Sequence, residues 1–190
     1  EHVKARKDKI HSWFMDMNLL LGYWGATTRT YHHTAPTNSL FALHEALLLI
    51  REETLEDCWA RHKRHHIALK TGLEAMGLSF LVKPEYQIPQ MNAVRIPEAV
   101  TNEAEVRKRL LNEFNLEIGA GLGPLAGKIW RFGTMGYSCR PENVMLCLSA
   151  LGSVLADVGL PVHVGDAEGA AHDAYAQMHK AAAQQKKRAA

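Results

Sequence analysis

The stretch Lys128-Ile129-Trp130-Arg131-Phe132-Gly133 decides how this chain is read, together with Tyr31-His32-His33-Thr34-Ala35-Pro36 about a hundred residues earlier. The later stretch reads as an apolar strand with one arginine in its middle. A guanidinium there lies on the exposed face of the strand or is half-buried, and a half-buried one wants a carboxylate gripped through two parallel hydrogen bonds. That carboxylate can be structural, such as Glu117 on a neighbouring strand, or can belong to a substrate; residue type alone favours the structural partner. The earlier stretch is a hydroxyl-rich turn ahead of an apolar helix. Tyr31 and Thr34 there offer donors that converge on a phosphate at a helix N-terminus. Spacing alone favours a plainer reading, in which Thr34 caps the helix and Tyr31 packs on the core. Together the two stretches suggest an anion-binding site assembled from distant parts of the chain.

Working outward, the loop Gly119-Ala120-Gly121-Leu122-Gly123-Pro124-Leu125-Ala126-Gly127 precedes the arginine strand. It is not a nucleotide-binding loop: the spacing is not GxGxxG, no Lys-Ser or Lys-Thr follows, and the next element is a strand. A flexible loop beside a substrate site and a plain strand-to-strand connection fit it equally well. Leu40, Leu43, Leu47 and Ile50 recur at helical steps after Thr37, with Thr34 or Thr37 available as a cap. A second helix is expected from Leu55 to Met76, ended by Gly77. Leu78–Val82, Ala93–Ile96, Leu116–Ile118 and Lys128–Phe132 read as strands. Glu103–Phe114 and Pro141–Val158 read as helices, giving helices around a sheet of about four strands. Trp13 to Trp24 is an apolar stretch, and residues 25–30 read as a turn.

These elements divide into three parts. Residues 1–53 belong to a larger upstream domain, residues 54–164 to a small α+β domain, and residues 165–190 to an alanine-rich, helical or disordered tail with a frayed basic end. The chain opens Glu1-His2-Val3-Lys4 without a methionine, so it is expected to be a piece of something longer.

Composition narrows the function. A net charge of +2 exerts no global pull on nucleic acid or anionic membrane, and the longest apolar runs are too short to span a bilayer. Cys58, Cys139 and Cys147 lack metal-type spacing and read as reduced thiols in the cytoplasm. His62, His65 and His66 share a helical face, but Arg61, Lys63 and Arg64 flank them and repel a metal ion. A solvated basic face is the expected arrangement, and no metal is expected. His32 and His33 likewise lack a further ligand, and no Ser/His/Asp signature is present.

Taken in order, Trp13-Phe14-Met15-Asp16, Tyr23-Trp24-Gly25, Tyr31 to Pro36, Leu40-Phe41-Ala42-Leu43, Gly121-Leu122-Gly123-Pro124 and Lys128 to Gly133 resemble the C-terminal half of the class V aminotransferases. The group in question is the alanine–glyoxylate, serine–glyoxylate and serine–pyruvate enzymes. The resemblance runs from about Ser12 to Val158. It implies an α/β protein of the fold type I that uses pyridoxal 5′-phosphate, with this chain supplying the end of the large domain and the α+β small domain. It also implies a homodimer in which Tyr31 and Thr34 bind the phosphate of the cofactor held by the other subunit, and Arg131 binds the substrate α-carboxylate. The family's Schiff-base lysine lies upstream of residue 1, so no catalytic residue is expected within this chain, which alone is expected to be inactive. The implied reaction moves an amino group from alanine or serine to glyoxylate or pyruvate. (S)-ureidoglycine–glyoxylate aminotransferases are a close alternative. A non-catalytic dimerisation module is a rival of another class, and a cysteine desulfurase is disfavoured because Cys139 follows the arginine strand rather than sitting in a mobile loop.

Overall fold

In the computed structural model, residues 1–25, 27–28 and 30–189 are described, excluding the side chains of 185, 186, 188 and 189. The chain forms two compact units, Glu1–Glu52 and Glu53–Ala190.

The first unit is helical. A single 3₁₀ turn over Trp13–Met15 leads into α1, Met17–Trp24. The Asp16 carboxylate caps α1, accepting from the backbone N–H groups of Asn18 at 2.9 Å and Leu19 at 3.4 Å, which satisfies two donors that the helix leaves open. The turn expected over 25–30 includes Ala26 and Arg29, which lie outside the described residues. The next helix, α2, spans Thr37–Glu53.

The second unit starts with α3, Leu55–Ala75, whose cap Thr54 accepts from Asp57 N–H at 3.3 Å. Gly77, at φ +79°, ends it in the left-handed conformation that a glycine adopts at little cost. Strand β1 (Met91–Arg95) follows, then α4 (Glu103–Phe114), β2 (Gly119–Ala120), β3 (Ile129–Gly133), α5 (Pro141–Asp157) and α6 (Val164–Ala189). The strands form one antiparallel sheet in the order β1-β3-β2. Trp130 and Phe132 alternate with Arg131 along β3, so they face the opposite side of the sheet from it. On that side they join Val94, Leu69 and Leu73 of α3, Leu110 of α4, and Leu148, Leu151 and Leu155 of α5 in one core. Gly72 permits the tightest helix approach, because a Cβ there would lie 2.4 Å from Leu148 Cδ1 and 3.0 Å from the Ala167 carbonyl oxygen.

The sequence expectations for the sheet change. The run Leu78–Val82 makes only an isolated bridge, Phe80 to Val94, with backbone bonds from Leu81 N–H to Ala93 and from Arg95 N–H to Ser79 on either side of it. The strand expected at Leu116–Ile118 begins at Gly119 instead. Asn115, at φ +52°, and Leu116 donate back to Leu111 and Leu110 at the end of α4, so these two residues are spent on the helix terminus. The sheet has three strands among the described residues, not four. Residues beyond 164, set apart on composition, form α6, and Ala167 and Ala171 lie in the core of the second unit. The fraying expected at the basic end involves side chains outside the described set.

Candidate functional site

In the first unit, aromatic packing organises the turn that carries the hydroxyls. Trp13 stacks on His32 with ring centroids 4.0 Å apart, and His32 Nε2–H donates to the Trp13 carbonyl at 3.1 Å. The two Nδ1 atoms of His32 and His33 meet at 2.7 Å, one donating and the other accepting. Phe14 packs against His33, and Tyr23 meets Tyr31 edge to face. Tyr31 Oη and Thr34 Oγ1 are then 2.8 Å apart, one turn before α2. Tyr31 is 68% exposed, so it does not pack on a core within this unit. Two adjacent hydroxyls beside the N-terminal end of a helix make a donor set suited to a phosphate. His32 is the residue that reading by spacing missed: it carries the turn, and only its pairing with Trp13 nineteen residues away reveals that.

Arg131 belongs to the second unit. Its direct partners across the sheet are Ala93 on β1 and Gly119 on β2. Its Nε–H donates to the Ala120 carbonyl at 2.7 Å. Among the described residues no carboxylate forms an ion pair with it, so the structural partner considered for it, Glu117, does not hold it. A cleft of about 240 Å³ opens beside β3, lined by Phe132, Thr134, Val144 and Cys147 among others, and Arg131 is not part of its wall. The glycine-rich loop is the β2–β3 connection, with a 3₁₀ turn over Gly123–Leu125. A Cβ at Gly121 would sit 1.9 Å from the Leu125 carbonyl oxygen, so the loop closes only around a glycine.

The histidines of α3 require a correction. His62, His65 and His66 are all buried rather than forming a solvated basic face. They continue the inward stripe of Leu69 and Leu73 at three- and four-residue steps, a signal the flanking cations obscured. His62 Nδ1–H donates to the Cys58 carbonyl at 2.7 Å, leaving Nε2 to accept from Gly136 N–H at 3.3 Å. His66 Nδ1–H donates to Asn92 Oδ1 at 2.6 Å, and Asn92 Nδ2 in turn donates to the Phe132 carbonyl and to Thr134 Oγ1, tying α3 to β1 and β3. His65 Nδ1 meets Tyr175 Oη at 2.7 Å and so fastens α6 to α3. Burial, reinforced by the nearby Arg64 and Arg61 charges, pushes His65 down to about 4; burial also lowers His66, partly offset by its bond to Asn92. Beside them Arg61 grips Glu53 and donates to the Gly136 and Cys139 carbonyls at 2.9 and 3.1 Å. That hydrogen bond holds the Glu53 carboxyl below its ordinary range. Among the described residues no group of three His, Cys, Asp or Glu side chains is placed to bind a metal ion.

No family profile matches the chain. Its sequence is 42% identical over 174 residues to an (S)-ureidoglycine–glyoxylate transaminase of Bacillus subtilis (strain 168), covering 92% of this chain and 41% of that protein. It is 40% identical over 156 residues to the alanine–glyoxylate aminotransferase of Mus musculus, covering 80% and 37%. The chain is a homologue of the class V glyoxylate aminotransferases. The crystal structure of the ureidoglycine–glyoxylate aminotransferase from Bacillus subtilis superposes with a TM-score of 0.84 at 42% identity, covering 90% of this chain and 44% of that one. The fold of this aminotransferase homologue is therefore that of the C-terminal portion of its longer relatives, and the chain spans about two fifths of their length. Among the described residues no helix is long and apolar enough to cross a membrane.

Proposed function

We propose that a protein of the relatives' length carrying this chain is a cytoplasmic, homodimeric aminotransferase, which uses pyridoxal 5′-phosphate to pass an amino group from alanine or serine to glyoxylate or pyruvate. The observation that carries this reading is Arg131. It is a guanidinium half-buried on a strand, tethered by a backbone carbonyl and, among the described residues, in no ion pair with a carboxylate. Such a group is suited to the carboxylate that amino-acid and keto-acid substrates share. The adjacent hydroxyls of Tyr31 and Thr34 fit the cofactor phosphate, contributed across the subunit boundary. Exposed Trp13, Phe14, Trp24, Leu43 and Leu47 support a partner subunit or further chain covering the first unit. When bound, the cofactor supplies the electron sink for cleavage at the substrate α-carbon. The residues of this chain fix phosphate and carboxylate, which orients the bond to be broken. Proton transfer belongs to a lysine outside this chain, so the chain alone transfers no amino group.

Arg131→Ala in the full-length protein is expected to raise KM for the amino acid by about two orders of magnitude, since a bidentate grip is lost. An unchanged KM would overturn the assignment of Arg131. Tyr31→Phe combined with Thr34→Val is expected to release cofactor during dialysis that the wild type retains. Full retention by the double variant would remove both residues from the phosphate site.

The second reading is an (S)-ureidoglycine–glyoxylate aminotransferase. It is favoured by the greater extent of similarity to the Bacillus subtilis protein, 174 residues against 156 for the mouse enzyme. Comparing kcat/KM for (S)-ureidoglycine and for alanine, with glyoxylate as acceptor, separates the two. A non-catalytic dimerisation module predicts no turnover with either donor and no cofactor absorbance after gel filtration.

A further inference from the structure

Gly119 lies directly opposite Arg131 in the β2–β3 register. Residues so opposed project from the same face of the sheet, so a side chain at 119 would share the space of the arginine. The backbone does not explain the glycine: Gly119 is absent from the positive-φ glycines, unlike Gly123 and Gly127 in the same loop. Glycine within a strand weakens it and marks a place where something approaches closely. Here that something is the guanidinium. A Cβ on residue 119 would lie 3.2 Å from Arg131 Nη2, 3.3 Å from Nε and 3.4 Å from Cβ. The guanidinium rests across bare β2 backbone, where Nε–H reaches the Ala120 carbonyl at 2.7 Å. With Nε engaged, the fork left for a bidentate carboxylate is the terminal pair Nη1 and Nη2.

We infer that Gly119, acting with the Ala120 carbonyl, is a positioning residue that aims the Nη1/Nη2 pair of Arg131 at the carboxylate of both amino-acid and keto-acid substrates. The inference rests on the reading of Arg131 as the carboxylate-binding residue. It makes Gly119 a determinant of KM for every substrate that carries that group. A methyl group at 119 displaces the guanidinium by a few tenths of an ångström, and a branched side chain expels it from its seat.

The experiment uses the full-length holoenzyme with Gly119→Ala, Gly119→Val and Arg131→Ala. KM for alanine and for glyoxylate is expected to rise together, about threefold in Gly119→Ala and about tenfold or more in Gly119→Val, with kcat within about twofold of wild type. The Kd of propionate, an unreactive carboxylate measured by calorimetry, rises in parallel. Should Gly119→Val fail to fold, Gly119→Ala, which needs only a small shift, decides by the same criteria. Unchanged KM and Kd in the folded Gly119 variants overturn the inference, even when Arg131→Ala raises KM and so upholds the carboxylate role. A fall in kcat at constant KM and Kd also overturns it, since that marks a general structural effect. If Arg131→Ala itself leaves KM and Kd unchanged, the reading of Arg131 falls and this inference falls with it.

Discussion

Residues 53–190 close a core of their own, whereas residues 1–52 bury one side chain among those described, His32. The two units differ little in apolar content. In the second, Trp130, Leu69, Leu148 and Leu151 are fully enclosed; in the first, Trp13, Trp24, Leu40 and Leu47 face outward. A helix with an apolar stripe gains stability only where another surface covers that stripe. The first unit therefore holds Tyr31 and Thr34 in place through aromatic stacking and local hydrogen bonds, while the second holds Arg131 on a sheet backed by a packed core.

The sharpest way to break this comparison is to separate the units. Residues 53–190 alone are expected to unfold in a cooperative, sigmoidal denaturant transition, and residues 1–52 alone to show none. A featureless curve for residues 53–190 would mean that their core is not self-sufficient.

Paired leucine substitutions put a scale on the contrast. Leu148→Ala removes a fully buried side chain and is expected to cost about 2–5 kcal/mol. Leu47→Ala, at a position 56% exposed, is expected to stay within about 0.5 kcal/mol in this chain. Urea midpoints measure both, and equal costs would erase the distinction between the units.

Acid sharpens the comparison on the side of the second unit. His65 sits near 4 when folded against 6.5 as its ordinary value, and His66 is also lowered. Between those values the unfolded chain binds protons that the folded chain does not. The histidine contribution is therefore complete above about pH 6.5 and is lost as pH falls toward 4. His65 alone accounts for a loss on the order of 3 kcal/mol. Denaturant midpoints at pH 7.5 and 5 test this, and His65→Gln is expected to flatten part of the slope.

The smallest contrast lies among charges within the second unit. Arg61→Ala loses two carbonyl bonds and the Glu53 pair and is expected to cost about 1–3 kcal/mol. Lys108→Ala breaks an exposed pair with Glu105 and is expected to cost less than about 0.5 kcal/mol. Thermal melts of the two variants would distinguish them.

Helices were the most legible part of the fold, because their signals are local. Glu103–Phe114 has the bounds that its pattern predicts, and α3 and α5 end within a residue of expectation. Strand limits were poorly legible, since a strand exists only where a partner pairs with it: Leu116 had the right residue type but its N–H was taken by α4. The α3 histidines were misread for a related reason. Arg61, Lys63 and Arg64 dominate the local composition, while the partners that bury the histidines, Asn92, Gly136 and Tyr175, lie tens of residues away.

By itself the sequence determined the kinship with glyoxylate aminotransferases, through ordered motifs that survive as residue identities whatever their surroundings. It also determined the main helices, through apolar spacing and the residues that start and stop them. The tertiary structure alone decided that Tyr31 and Thr34 adjoin, that α6 belongs to the core of the second unit, and that Arg131 lies over Gly119 and donates to the Ala120 carbonyl. Those outcomes depend on which distant backbone and side-chain groups come within a few ångströms of one another. A linear pattern does not carry that information, because packing assigns each partner across the chain.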